Sequence, residues 1–184
     1  MRRILMIGVL MGALTLAACD TTSPVAPYTP STSNVLAIQS ALKPTGKTVQ
    51  VESFKLAPGV EKPGCRMVGG LDVTAGKSLD DYFKEALQSE LFTAGVYDVK
   101  APVVINAHLT NLKVSTFGTG SWTMAMDVSS NVSPGYHVEI TRPFASSYMA
   151  EAACHNAVNA FAPTVQALFG QMIADPQFAK LAGK

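Results

Sequence analysis

The chain has 184 residues, 48% of them apolar, with 14 Lys and Arg against 13 Asp and Glu. That length is enough for one ordinary domain with a real core. Charge this close to balance builds neither the basic field that nucleic acid requires nor a basic cluster for an anionic bilayer.

The first element is a leader. Arg2 and Arg3 form a positive start, and Ile4 to Ala18 then runs without a charge. At ~1.5 Å per residue such a helix reaches about 22 Å, short of a ~30 Å hydrocarbon core, so the run predicts the apolar region of a signal peptide. Leu16-Ala17-Ala18-Cys19 at its end resembles the lipobox of bacterial lipoproteins. The resemblance implies cleavage after residue 18, diacylglycerol on the Cys19 thiol, and two or three acyl chains in all, enough for stable anchoring. Without Arg2 and Arg3 the count is 12 basic against 13 acidic residues, a net charge of −1. Asp20 resembles an inner-membrane retention signal of enteric bacteria, a rule that does not transfer to all bacteria. The expected location is therefore the periplasmic face of either the cell membrane or the outer membrane.

Residues 19–46 read as the lipidated cysteine and a Ser/Thr/Pro tether. Pro24, Pro27 and Pro30 recur every three residues and favour an extended, solvated chain. Val35 to Leu42 is mildly apolar and suits a short helix or strand packed on the domain.

Residues 47–184 follow the pattern of an α+β domain. Thr48–Leu56 is a strand whose alternation slips near Glu52–Ser53, the mark of a bulge. Residues 57–77 hold five Gly and two Pro and predict a long loop, with room for a short strand at Met67–Val73. Ser78 is a good N-cap with Asp81 three residues on, and Gly95 is a good stop. Between them Leu79, Tyr82, Phe83, Ala86, Leu87, Leu91 and Phe92 form an apolar helical stripe. Three alternating segments follow, Val103–Phe117, Trp122–Ser129 and Tyr136–Thr141, joined by Gly-containing turns and with a phase slip near Asn111. They predict an antiparallel meander with one apolar and one polar face. The chain closes with a helix over 147–174, apolar at Ala153, Val158, Phe161, Val165, Leu168, Phe169 and Met172, kinked or divided by Pro163. Phe178 and Leu181 are placed to fold back on the core. The order β-α-β-β-β-α predicts a two-layer sandwich, an antiparallel sheet with two helices on one face.

Lipobox, tether and domain together resemble small envelope lipoproteins of Gram-negative bacteria. The chain resembles the YajG-type lipoproteins and, more loosely, the lipoprotein subunits of outer-membrane assembly and lipid-transport machines. Residues 79–97, LDDYFKEALQSELFTAGVY, are similar to the first helix of such domains. The resemblance implies action by binding a partner and supplies no active-site residues.

With Cys19 lipidated, Cys65 and Cys154 remain, and in an oxidising periplasm they are expected to pair. The bond would pin the long loop to the last helix and close about ninety residues, worth roughly 4 kcal/mol in the chain-entropy model. The alternative is two separate thiols, with Cys154 a small buried hydrophobe.

Catalytic and metal-binding patterns are weak. Tight turns would set Ser129 beside His108 and His137, with Asp127 and Glu139 in the neighbouring row. Imidazoles and carboxylates on one face are metal-ligand chemistry, but the spacing matches no ligand motif, and a solvated sheet face is the plainer expectation. His155 falls on the last helix. Neither a Gly-x-Ser-x-Gly elbow nor a phosphate-binding Gly loop occurs, and Ser146-Ser147 before a helix is better explained as a cap. Trp122, Met124 and Met126 suit a core, or else a lipid or peptide groove. The polar sheet face and the sheet edges are the expected functional surfaces. The sequence thus predicts a non-enzymatic, lipid-anchored accessory protein of the envelope with a protein partner, no cofactor and no metal. A binding module for a lipid, glycan or peptidoglycan fragment is the alternative.

Overall fold

The computed structural model describes residues 25–183. The leader, Cys19, Asp20 and Pro24 lie outside the described residues. The elements are α1 (Thr32–Leu42), β1 (Val49–Leu56), β2 (Gly64–Cys65), β3 (Gly69–Gly70), α2 (Leu79–Thr93), β4 (Val103–Ser115), β5 (Gly120–Ser130), β6 (Ser133–Phe144) and α3 (Ala150–Ala174). They form an α+β two-layer sandwich in which helices cover one face of a four-stranded sheet ordered β1-β4-β5-β6.

Local signals explain α2. The Ser78 hydroxyl accepts from the Asp81 N–H, and Asp80 and Asp81 oppose the positive end of the helix dipole. Gly95 ends the element at φ +72°, which a side chain would disfavour. The buried stripe is the expected one with two changes. Phe92 is exposed, and Glu90 is buried in its place.

β4, β5 and β6 are the expected antiparallel meander. The expectation of an antiparallel sheet is corrected at β1, which pairs with β4 in parallel. The cause is the connection. Residues 57–102 include α2, and a crossover of that length carries the chain back to start a parallel neighbour. Both expected bulges are present: Glu52 is the extra residue on β1 and Thr110 the extra residue on β4. The long loop contains a small hairpin, β2–β3, with Met67 at its tip at φ +59°.

The packed body begins upstream of residue 47, so the boundary drawn at 46/47 moves. In α1, Asn34, Ile38 and Leu42 fall at i, i+4, i+8 and are buried against α2 and α3. A single carboxylate ties this segment down. Glu90 Oε1 accepts from the Tyr28 hydroxyl at 2.6 Å, the Ser31 N–H at 3.0 Å and Asn34 Nδ2 at 3.1 Å. Burial and the Glu90 carboxylate push the Tyr28 hydroxyl far above its ordinary value.

α3 runs unbroken through Pro163. The carbonyls near the proline keep partners from side chains. Thr164 Oγ1 donates to the Ala160 carbonyl at 2.7 Å, and Arg142 Nη1 donates to that of Pro163 at 2.6 Å. Beneath α3 the aromatic core closes: Phe161 lies 5.1 Å from Trp122, 5.5 Å from Tyr82 and 6.0 Å from Phe83, centroid to centroid. Trp122 Nε1 donates to the Ala157 carbonyl at 2.9 Å, so its one polar atom is satisfied in the interior. Phe178 and Leu181 fold back and are buried.

Candidate functional site

Among the described residues, the second face of the sheet has no helix on it, and its side chains are set by strand register. One row crosses all four strands: Lys55 on β1 pairs with His108 on β4, His108 with Asp127 on β5, and Asp127 with His137 on β6. The next row carries Ser53, Asn106 and Ser129. Together they line an open, polar concavity of about 770 Å³.

This corrects the expected arrangement, in which Ser129 stands between the two histidines. Asp127 occupies that place, and Ser129 faces Asn106. The physical reason lies in the turns and bulges together. Thr110 adds one residue to β4 and shifts its pairing with β5 by one, and the β5–β6 turn takes only residues 131–132. At the far end Pro134 and Gly135 face Ser129 alone. Gly135 has φ +85°, and a Cβ there would fall 1.7 Å from the Val128 carbonyl oxygen, so only glycine fits.

The row is a hydrogen-bonding surface in water. His137 Nδ1 lies 2.7 Å from Asp127 Oδ1 with both side chains more than half exposed. Such a contact is weak, about 1 kcal/mol or less, and nothing around it excludes water to activate a nucleophile. Ser53 Oγ donates to Asn106 Oδ1 at 2.6 Å. Glu139 lies opposite Ala125, one row on. His155 is on α3, across the sheet from His108 and His137. Among the described residues, no three His, Cys, Asp or Glu side chains converge closely enough to hold a metal ion.

The groove that Trp122, Met124 and Met126 would line is not formed, since all three are fully buried under the helices. Ser146 does not cap α3, whose N-cap is Met149, and its hydroxyl donates to the Thr116 carbonyl at 2.6 Å. Lys55, Ser53 and Asn106 joined the site unforeseen. Their signal is the polar parity of two strands, which places them on a face without saying which strands are neighbours.

Cys65 and Cys154 are bonded as expected, Cα to Cα 5.9 Å, and join the β2–β3 hairpin to α3 near its start. Near the bond Arg66 donates to the Ser147 carbonyl, and its guanidinium stands 4.9 Å over the Phe117 ring centroid.

No family model matches the chain, and no curated protein matches it in sequence. Several solved chains are similar, two of them as follows. One is a Xanthomonas campestris protein described under the family model DUF330, at 10% identity over 69% of this chain and 84% of that one, with a TM-score of 0.49. The other is described as an uncharacterized protein, at 10% identity over 67% and 90%, with a TM-score of 0.38.

Proposed function

We propose that this chain is a lipid-anchored accessory protein of the bacterial envelope, of the YajG-like type, that binds a protein partner across the open face of its sheet. The anchoring rests on Leu16-Ala17-Ala18-Cys19 behind a short apolar leader. The binding rests on one observation: a wide concavity on the uncovered face, carrying a hydrogen-bonding or charged side chain from each of four strands. Open, polar and centred on the Asp127–His137 hydrogen bond, it suits a partner surface of complementary polarity. Among the described residues no helix is long and apolar enough to cross a membrane, so on this reading attachment comes from lipid on Cys19. The partner-binding reading includes no reaction.

A photo-crosslinking residue at Ser129, in cells that incorporate labelled palmitate into the protein, tests both halves. The expected result is a discrete adduct from Ser129 that is absent from Gln171 on the outside of α3 and lost in Asp127→Lys. Label that persists in Cys19→Ser would end the anchoring reading, and identical adducts from both positions would end the binding one. The size of the concavity, about 770 Å³, also lies in the range of small-ligand sites and keeps a glycan or peptidoglycan fragment as the second reading. In that case a soluble muropeptide, and no protein, would protect the Asp127 and His137 resonances.

A further inference from the structure

The end of the molecule opposite the β5–β6 turn carries a feature that the proposed function does not use. Three loops meet there, at residues 64–70, 116–119 and 145–149. The Cys65–Cys154 bond, the Arg66–Ser147 hydrogen bond, the Arg66–Phe117 contact and the Ser146–Thr116 hydrogen bond hold them together. From this braced frame five large apolar side chains project into solvent: Met67, Val68, Phe117, Tyr148 and Met149. Met67 is 96% exposed, at a hairpin tip whose backbone lies in the left-handed region that methionine rarely adopts. Isolated exposed apolar residues are ordinary, but five on one rigid frame mark a contact surface.

We propose that this end rests on the lipid surface to which the chain is anchored, with these five side chains in the headgroup and upper acyl region. The inference rests on the lipid-anchor reading. Its first support is reach. From Cys19 to Tyr28 the chain spans at most about 30 Å. Tyr28 is fixed to the body, its hydroxyl on Glu90 and its ring 6.3 Å from that of Tyr82 in the first turn of α2. Tyr82 in turn touches Phe161, eleven residues and so about 16 Å from the start of α3, where the exposed loops begin. Tyr28 also lies beside Phe169, and Thr29 accepts from Gln166, both nearer the other end of α3, so the leash lets either end reach the bilayer and the exposed apolar side chains decide which one rests on it.

The second support is composition and shape. The side chains come from three separate loops. A fluid interface moulds itself to such a surface, whereas a protein interface needs matched shape. Tyr148 presents an apolar body with a polar tip, a residue type that favours a membrane interface. In this pose the strands stand along the membrane normal, and the open sheet face looks sideways, free for a partner.

The test uses fluorescence depth. Trp122 is the chain's one tryptophan and is fully buried, so it gives a constant background. Tyr148→Trp and Val132→Trp are made in the lipidated full chain, Val132 being an exposed residue in the β5–β6 turn at the far end. Each is reconstituted on phosphatidylethanolamine and phosphatidylglycerol vesicles carrying brominated acyl chains. The expected result is a blue shift and loss of most of the added emission for Tyr148→Trp, with Val132→Trp unchanged. Protein that floats with the vesicles yet shows no quenching in Tyr148→Trp overturns the proposal alone and leaves the surface to a protein partner. Protein that fails to float overturns the lipid anchor, and the proposal with it.

Discussion

Glu90 is a carboxylate placed where its helix buries everything else, and three donors from residues 28–34 converge on one of its oxygens. Removing the acceptor should cost more than the hydrogen bonds themselves, because the Asn34 amide would stay buried and short of a partner. Glu90→Ala is expected to lose about 2–4 kcal/mol in urea unfolding and to open residues 25–34 to proteolysis. Glu90→Gln keeps an accepting oxygen and should lose much less. Equal losses in the two variants would show that the cavity, and not the acceptor, matters. The residue was readable in part. Glu90 stands three and four positions after Leu87 and Ala86, on the apolar stripe. A lone carboxylate on such a stripe is a reason to seek its donors, yet the donors lie about sixty residues upstream, in a segment whose Ser, Thr and Pro content reads as solvated chain. Phe92 errs the other way: it is apolar by composition and exposed because its angle on the helix points off the core.

The strands and helices were largely legible, since periodicity and caps are local. Ser78, Asp81 and Gly95 bound α2, and the slips at Glu52 and near Asn111 are real bulges. Pairing direction was not legible, because alternation in β1 is the same whether its neighbour runs with it or against it. Nor was the site's row. The slip near Asn111 shows in the sequence, but the row also depends on the β5–β6 turn and the bulge at Pro134–Gly135, which set His137 opposite Asp127. Pro163 shows how tertiary contacts override a local rule. The ring removes one helical N–H, yet Thr164, Arg142 and the aromatic layer beneath hold α3 in line. The tolerated proline still has a cost. Pro163→Ala restores the N–H facing the Asn159 carbonyl and is expected to raise stability by about 1–3 kcal/mol, read as a higher urea midpoint. An unchanged or lower midpoint would mean that the ring's own packing compensates fully.

At the scale of the whole molecule, the Cys65–Cys154 bond joins chain positions 89 residues apart. Without it the unfolded chain gains freedom, and the loops around Arg66 and Ser147 lose their brace. The double variant Cys65→Ser/Cys154→Ser is expected to unfold with a loss of up to about 4 kcal/mol, and reduction of the native protein should match it. Identical urea midpoints for oxidised and reduced protein would count against any stabilising role. The pairing was legible from cysteine number once one sulfur is assigned to lipid. The surface that the bond braces was not, because it gathers Met67, Phe117 and Tyr148 from three distant loops. The position of α3 in the chain has one more consequence. Phe83 and Trp122 both pack against Phe161, so the aromatic core is not closed until α3 is in place. Until its final quarter emerges, the polypeptide has little to fold around. On the proposed reading of an exported, lipid-anchored protein, that order would let the chain cross a narrow translocation channel unfolded and take its shape afterwards.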